Sequence, residues 1–215
     1  MVHLVGSLSV LMLLCALGLA ALRRYTSCIV AVSLQSLLLA VATALVAHAA
    51  GNRGGYLAAI LTLAIKAVAI PFILSWVKAR TDGGREPLLR EMSAGWSLLI
   101  AGVVVILAYQ SAAVVTALGG GLIRSSFPEA MSILLLGLFI LIARRSALLQ
   151  IIGLIVMENG LYLSALSTTG GMPLVVEMGM FLDLLVGVLV MGAFSSRIVG
   201  SFRSLDTDRL HNLKG

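Results

Sequence analysis

Long apolar runs separated by short polar breaks organise this chain. The first covers roughly Val2 to Leu22 and is closed by Arg23-Arg24, and the second covers Thr26 to Ala49. The third, about Tyr56 to Val77, contains Lys66 near its middle and Pro71 five residues later. After a polar stretch come runs at Gly95–Leu118, Phe127–Arg144, Ala147–Leu166 and from Pro173 to Arg197. A membrane-spanning helix needs ~20 mostly apolar residues. The pattern therefore predicts an all-α integral membrane protein with about seven spanning helices. Pro71 has no N–H and is expected to kink the third helix just below the lysine. Phe127-Pro128-Glu129 reads as a helix start, with proline in the first turn and a carboxylate at the positive end of the helix dipole.

The expected organisation places helices one to three within residues 1–80 and a polar loop at 81–94. The fourth helix and an outer loop follow at 95–126, helices five to seven at 127–197, and a tail at 198–215. The first run is expected to stay in the mature protein, because its positive charge follows the apolar stretch, whereas in a signal peptide it precedes it.

Composition agrees with the pattern. The 215 residues are 60% hydrophobic and only 11% charged, against roughly 25% charged in soluble domains. The formal charge of +6 would fit a nucleic-acid binder, but its placement gives a simpler reading. With the N-terminus outside, twelve of the Lys and Arg residues fall on inner segments and two, Arg53 and Arg124, on outer ones. That bias sets the N-terminus outside and the C-terminus in the cytoplasm. Cys15 and Cys28 lack metal-ligand spacing, the three histidines are scattered, and no Gly-rich phosphate loop opens a helix after a strand. No metal, cofactor or covalent active site is expected.

Candidate chemistry lies in the charges inside the apolar runs. Lys66, Glu158 and Asp183 each sit about halfway along a predicted helix, and Glu177 lies nearer the outer end of the last one. A charged group at that depth costs at least ~2.5–3.5 kcal/mol on insertion scales. Groups at one depth on three helices can form a lateral row that passes protons along the membrane plane. Each step must be small, so the cost of burial and the pull of an opposite charge must nearly balance. The plainer alternative is an ion pair, with Lys66 neutralising Asp183 or Glu158 and locking helices together. Glu177 reads equally well as an interfacial residue reaching water. Asn159, Tyr109 and Gln110 are polar groups that need partners in lipid and are candidates to support the path or to pack helices, and Gln35 reads as a packing residue of the bundle. An internal repeat can also be drawn, since aligning Tyr56 with Pro173 brings Lys66 onto Asp183 and Arg80 onto Arg197; any pair of helical hairpins obeying the positive-inside rule aligns in the same way.

Arg144-Arg145-Ser146-Ala147-Leu148-Leu149-Gln150-Ile151-Ile152-Gly153-Leu154, followed by Glu158-Asn159, resembles the middle helix of the K subunit of respiratory complex I and its antiporter relatives. The segment Asp183-Leu184-Leu185-Val186-Gly187-Val188-Leu189-Val190 resembles that subunit's third helix, and the tail from Leu205 to Gly215 resembles its end. The longer form, with four helices in front, resembles component E of hydrogenase-4 and related membrane-bound [NiFe]-hydrogenase or formate hydrogenlyase complexes. There are two departures. The K-subunit glutamate of the middle helix lies one turn earlier, where this chain has Ile155; Glu158 keeps roughly the same face. Asp183 replaces a glutamate and is shorter by a methylene.

The resemblance implies a non-catalytic membrane-arm subunit of an oxidoreductase complex in the bacterial plasma (inner) membrane. Its expected partners are antiporter-like membrane subunits and a hydrogenase or dehydrogenase module, with no nucleic acid. Glu158 and Asp183 would belong to a midplane proton path, joined by Lys66 on the ground of its charge and its depth in the third helix. The alternative is a subunit of a cation/proton antiporter or a stand-alone secondary transporter, for which Pro71 and Pro173 are the only candidate helix breaks. A third is a scaffold whose charges are ion pairs alone.

Overall fold

A computed structural model describes residues 2–51, 53–81, 93–118, 126–144, 146–169 and 192. All the described elements are helical. They are α1 (Val2–Ala21), α2 (Tyr25–Ala50), α3 (Arg53–Thr62), a π-helical segment (Leu63–Ala69), α4 (Ile70–Thr81), α5 (Ala94–Leu118), α6 (Phe127–Ala143) and α7 (Ala147–Thr169). Among the described residues five helices are long and apolar enough to cross a membrane: His3–Ala21, Tyr25–Ala50, Arg53–Trp76, Ala94–Ala113 and Leu148–Thr168. Phe127–Ala143 is a shorter apolar helix. The chain is thus an all-α integral membrane protein. The expected last helix, with Glu177 and Asp183, and the charged loop around Arg85 lie outside the described residues, as does the second half of the aligned repeat.

Short breaks between the helices come from local chemistry. α2 stops at Gly51, whose φ of 62° only glycine adopts without strain, and whose N–H closes onto the carbonyls of Ala47 and His48. α6 starts where expected, with Pro128 and Glu129 in its first turn. The third span has a feature that the proline alone did not predict. Its backbone widens into a π turn over Leu63–Ala69, with the Ile70 N–H bonding the carbonyl of Ile65 five residues back. Pro71 cannot donate to the carbonyl of Ala67, four residues before it. Ser33 Oγ on α2 donates to that oxygen instead, at 2.7 Å. A hydroxyl from a neighbouring helix thus replaces the donor that the proline removes.

α2 is the central element and packs on α1, α3, the π segment, α4 and α7. α6 and α7 pack most closely, in one antiparallel register. A Cβ on Gly137 would strike the Met157 backbone, one on Gly160 the Leu134 backbone, and one on Gly153 would lie 2.6 Å from Leu141 N. Three glycines therefore let two backbones touch, which is how membrane helices gain packing contact where lipid offers no hydrophobic drive.

One end of the bundle is tied together by polar side chains. Arg144 Nη2 donates to the carbonyls of Ala20 at 2.7 Å and Leu22 at 3.0 Å, at the C-terminus of α1. Ser97 Oγ donates to Ala20 as well. Those carbonyls lack intrahelical donors, and a cation there also suits the negative end of the helix dipole. Tyr25 bonds Ser146 and Lys78 bonds Thr26 at the same end. Arg23, Arg24, Lys78 and Arg144 thus share one end, while Arg53, Tyr109 and Glu129 lie at the other. Arg144 has a packing role that a topology signal alone would not require: it is buried, at 6% exposure.

Candidate functional site

Five polar residues from three separate stretches meet in the middle of this bundle. Gln35 lies ten residues into α2, Lys66 twelve residues before Lys78, and Glu158 eleven residues into α7. At 1.5 Å per residue each is ~15–18 Å from the basic end, near the middle of a ~30 Å hydrocarbon layer. The side chain of Lys66 is enclosed, and Gln35, Ser36 and Asn159 have no exposure at all.

Lys66 Nζ lies 2.7 Å from Glu158 Oε1 and donates to Asn159 Oδ1 at 3.2 Å. The ammonium also sits 5.7 Å from the centroid of the Tyr162 ring, within reach of a cation–π attraction. Asn159 Nδ2 then donates to Gln35 Oε1 at 3.2 Å and Ser36 Oγ at 3.3 Å. Gln35 Nε2 in turn donates to the carbonyl of Met12 on α1, at 3.2 Å. The donors all point one way, from the lysine across α7 and α2 to α1. Each amide is used on both sides, so their orientations are fixed by the network.

The helices explain why these groups converge. Asn159, Glu158 and Tyr162 lie within one turn of α7, where residues four apart share a face. The π turn carries one more residue than an α turn, and Lys66 sits at its centre. Ser33 holds that turn from α2 two residues before Gln35. A single helix thus fixes the lysine's backbone and the far end of the amide chain.

The carboxylate is only half used. Among the described residues Glu158 Oε2 is buried and has no hydrogen-bond partner. An unsatisfied carboxylate oxygen in a buried place is costly unless something else engages it. Among the described residues of the network, Lys66 and Glu158 are the groups that exchange protons, because the carboxamides of Asn159 and Gln35 neither gain nor lose protons near neutral pH. The arrangement can therefore exchange a proton between Nζ and Oε1 and open to a further group at Oε2.

Comparison with known proteins places the chain among relatives. An uncharacterized protein of Mycobacterium tuberculosis, Rv0085, is 31% identical over 159 residues, which cover 72% of this chain and 70% of the relative. Hydrogenase-4 component E of Escherichia coli K12 is 28% identical over 150 residues, covering 70% of this chain and 69% of that protein, and the Shigella flexneri protein of the same name matches equally. The chain belongs to the hydrogenase-4 component E family. No protein-family model and no solved structure matches it.

Within this component E family chain, the site residues read from sequence fall into three groups. Lys66, Glu158 and Asn159 come together, and of the two pairings weighed for Lys66 the one with Glu158 is present. Tyr109 and Gln110 do not join them. Tyr109 donates to Glu129 Oε1 at 3.1 Å at the opposite end from the basic cluster, and Gln110 is exposed. Glu177 and Asp183 lie outside the described residues. Gln35, Ser36, Tyr162 and Ser33 are members that the sequence did not assign to the site. Adjacent Gln35-Ser36 at the midpoint of an apolar run was the signal that could have found two of them.

Proposed function

We propose that this protein is a membrane subunit of a hydrogenase-4-like respiratory complex and that Lys66 and Glu158 carry part of its midplane proton path. The observation that carries the reading is the enclosed Lys66–Glu158 pair at 2.7 Å, with Oε2 of the same carboxylate left for another partner. Moving one proton from Nζ to Oε1 converts an ammonium and a carboxylate into an amine and a carboxylic acid. The net charge of the pair does not change, so the step avoids moving a net charge into lipid. Rotation of the carboxyl group about its Cγ–Cδ bond then turns the protonated oxygen away from the amine to the side that Oε2 occupied, where the proton is released, and the amine takes up another. Asn159 and Gln35 hold the geometry and do not conduct. Family membership supports the context, since the relatives named above include a hydrogenase component.

In this reading Asp183, and Glu177 nearer the outer face, extend the path on the last helix, whose sequence resembles the K subunit of complex I. The N-terminus lies outside and the C-terminus in the cytoplasm of a bacterial inner membrane. The subunit joins antiporter-like partners to a hydrogenase or dehydrogenase module.

Glu158→Gln tests the proposal, because the amide oxygen still accepts from Lys66 while the proton is lost. We expect normal assembly of the complex and loss of hydrogenase-driven proton uptake into inverted membrane vesicles, read by a pH-sensitive dye. Undiminished uptake overturns the proton-path role. The same 2.7 Å contact supports a second reading, a purely structural ion pair. It expects Lys66→Glu combined with Glu158→Lys to restore full activity lost in each single variant.

A further inference from the structure

An open trench runs between α2 and α4 toward the basic end of the bundle. Its two adjoining cavities, of about 420 and 310 Å³, share Ile29, Val30 and Ser75. Val30 and Phe72 form the rims and are 63% and 72% exposed, so in the membrane the trench faces outward from the bundle. Pro71, Ser33 and Ser75 are among its lining residues. Both serine hydroxyls are bonded to backbone: Ser33 Oγ donates to Ala67 O and Ser75 Oγ donates to Pro71 O at 2.8 Å. With those hydroxyls engaged, the lining is largely apolar along the trench.

Polar character appears only at the mouth. Lys78 and Thr26 line the second cavity there, with Lys78 Nζ donating to Thr26 Oγ1 at 2.6 Å. Trp76, half-exposed and two residues before the lysine, marks the level at which indole rings prefer to sit in a bilayer. From Thr26 to Leu34 the trench runs ~12 Å along α2, most of the ~15 Å depth of one leaflet. A cation at headgroup level above an apolar slot one leaflet deep complements an amphipathic anion.

We propose that this trench is a binding site for an anionic glycerophospholipid, with one acyl chain along Val30, Leu34, Pro71 and Phe72 and the phosphate at Lys78 and Thr26. Basic pockets between helices at the membrane surface select anionic headgroups in this way. A partner's spanning helix would need a longer apolar contact and would meet the Lys78 cation at its rim. The site is separate from the Lys66–Glu158 pair, and its test does not depend on proton movement.

The experiment places the full-length protein in phosphatidylcholine nanodiscs carrying a trace of phosphatidylglycerol or phosphatidylcholine with a diazirine in the acyl chain. Labelled peptides are mapped by mass spectrometry after illumination. We expect labelling of Ile29–Leu34 and Pro71–Ser75 to favour phosphatidylglycerol about fivefold. Lys78→Gln should abolish the preference and Lys78→Arg should keep it. Val30→Trp, which fills the slot, should reduce labelling by both lipids. Equal labelling by the two lipids, or a preference that survives Lys78→Gln, overturns the proposal. So does cross-linking of the same peptides to another polypeptide in the native membrane, which would identify a partner helix as the occupant.

Discussion

The α6–α7 contact and the contact of α2 with the third span solve the same problem in opposite ways. Both bring two apolar helices together in a solvent that is itself apolar. Between α6 and α7 the solution is the removal of side chains, with Gly137, Gly153 and Gly160 letting backbone meet backbone. Between α2 and the third span it is hydrogen bonding. Ser33 reaches a carbonyl stranded by Pro71, and the amide of Gln35 reaches Lys66 through Asn159. The first contact is dense and uniform. The second is polar, interrupted by a π turn and flanked by an open trench. The carboxylate is mounted on the dense contact and the lysine on the hydrogen-bonded one, so one member of the proton-bearing pair is fixed by packing and the other by directional bonds.

That comparison breaks first at the glycines. Gly137→Leu places a side chain into the Met157 backbone, a clash that exceeds the ~3 kcal/mol of ordinary overpacking. We expect no folded protein to be recovered from membranes, measured by fluorescence-detected size-exclusion chromatography; a normal monodisperse peak would show that the helices can separate cheaply. Next comes the charge pair. Lys66→Met leaves the carboxylate uncompensated and should cost about 3–5 kcal/mol, while Lys66→Met with Glu158→Met should recover most of that. Thermal unfolding in detergent checks both. A double variant no more stable than the single would mean that the ion pair is not what holds α7 to the third span.

Asn159→Leu removes the link between the lysine and α2 and leaves Gln35 Oε1 without its donor. The expected loss is about 1–3 kcal/mol, again by thermal unfolding. Its effect should largely vanish in a Gln35→Leu background, where no orphan remains. The smallest effect belongs to Ser33→Ala, which removes one hydrogen bond and should cost about 1 kcal/mol. Hydrogen–deuterium exchange should rise at Leu63–Ile70 in that variant and stay unchanged in α6 and α7. Uniform exchange in all segments would show that Ser33 does not hold the π turn.

The all-α class and the helix positions among the described residues were legible because apolar run length is set by bilayer thickness and needs no tertiary information. Lys66 and Glu158 were legible for a related reason: a charge inside such a run stands out against the cost of placing it there. Their pairing was not, since it depends on the rotation of two helices 92 residues apart in sequence, and Asp183 offered the same depth. The π turn escaped because its bonding register is secured by Ser33 on another helix, whereas Pro71 alone points to a kink. The glycines at 137, 153 and 160 carry no signal of their own, because glycine is ordinary in spanning helices and only the facing backbone gives these three a purpose. Arg144 was legible as a topology marker, and its bonds to the end of α1 were not, because they join residues more than 120 apart.

The distance along the chain between Lys66 and Glu158 also has a consequence for biogenesis. At ~5–20 residues per second, the ribosome makes the glutamate some ~5–20 s after the lysine. For that interval the third span must enter the bilayer carrying an ammonium whose counter-charge does not yet exist. Its own insertion is handicapped by ~2.5–3.5 kcal/mol at the helix centre. The nascent span is therefore a natural client for a chaperone or a protein-conducting channel that shelters polar segments until the sixth helix arrives.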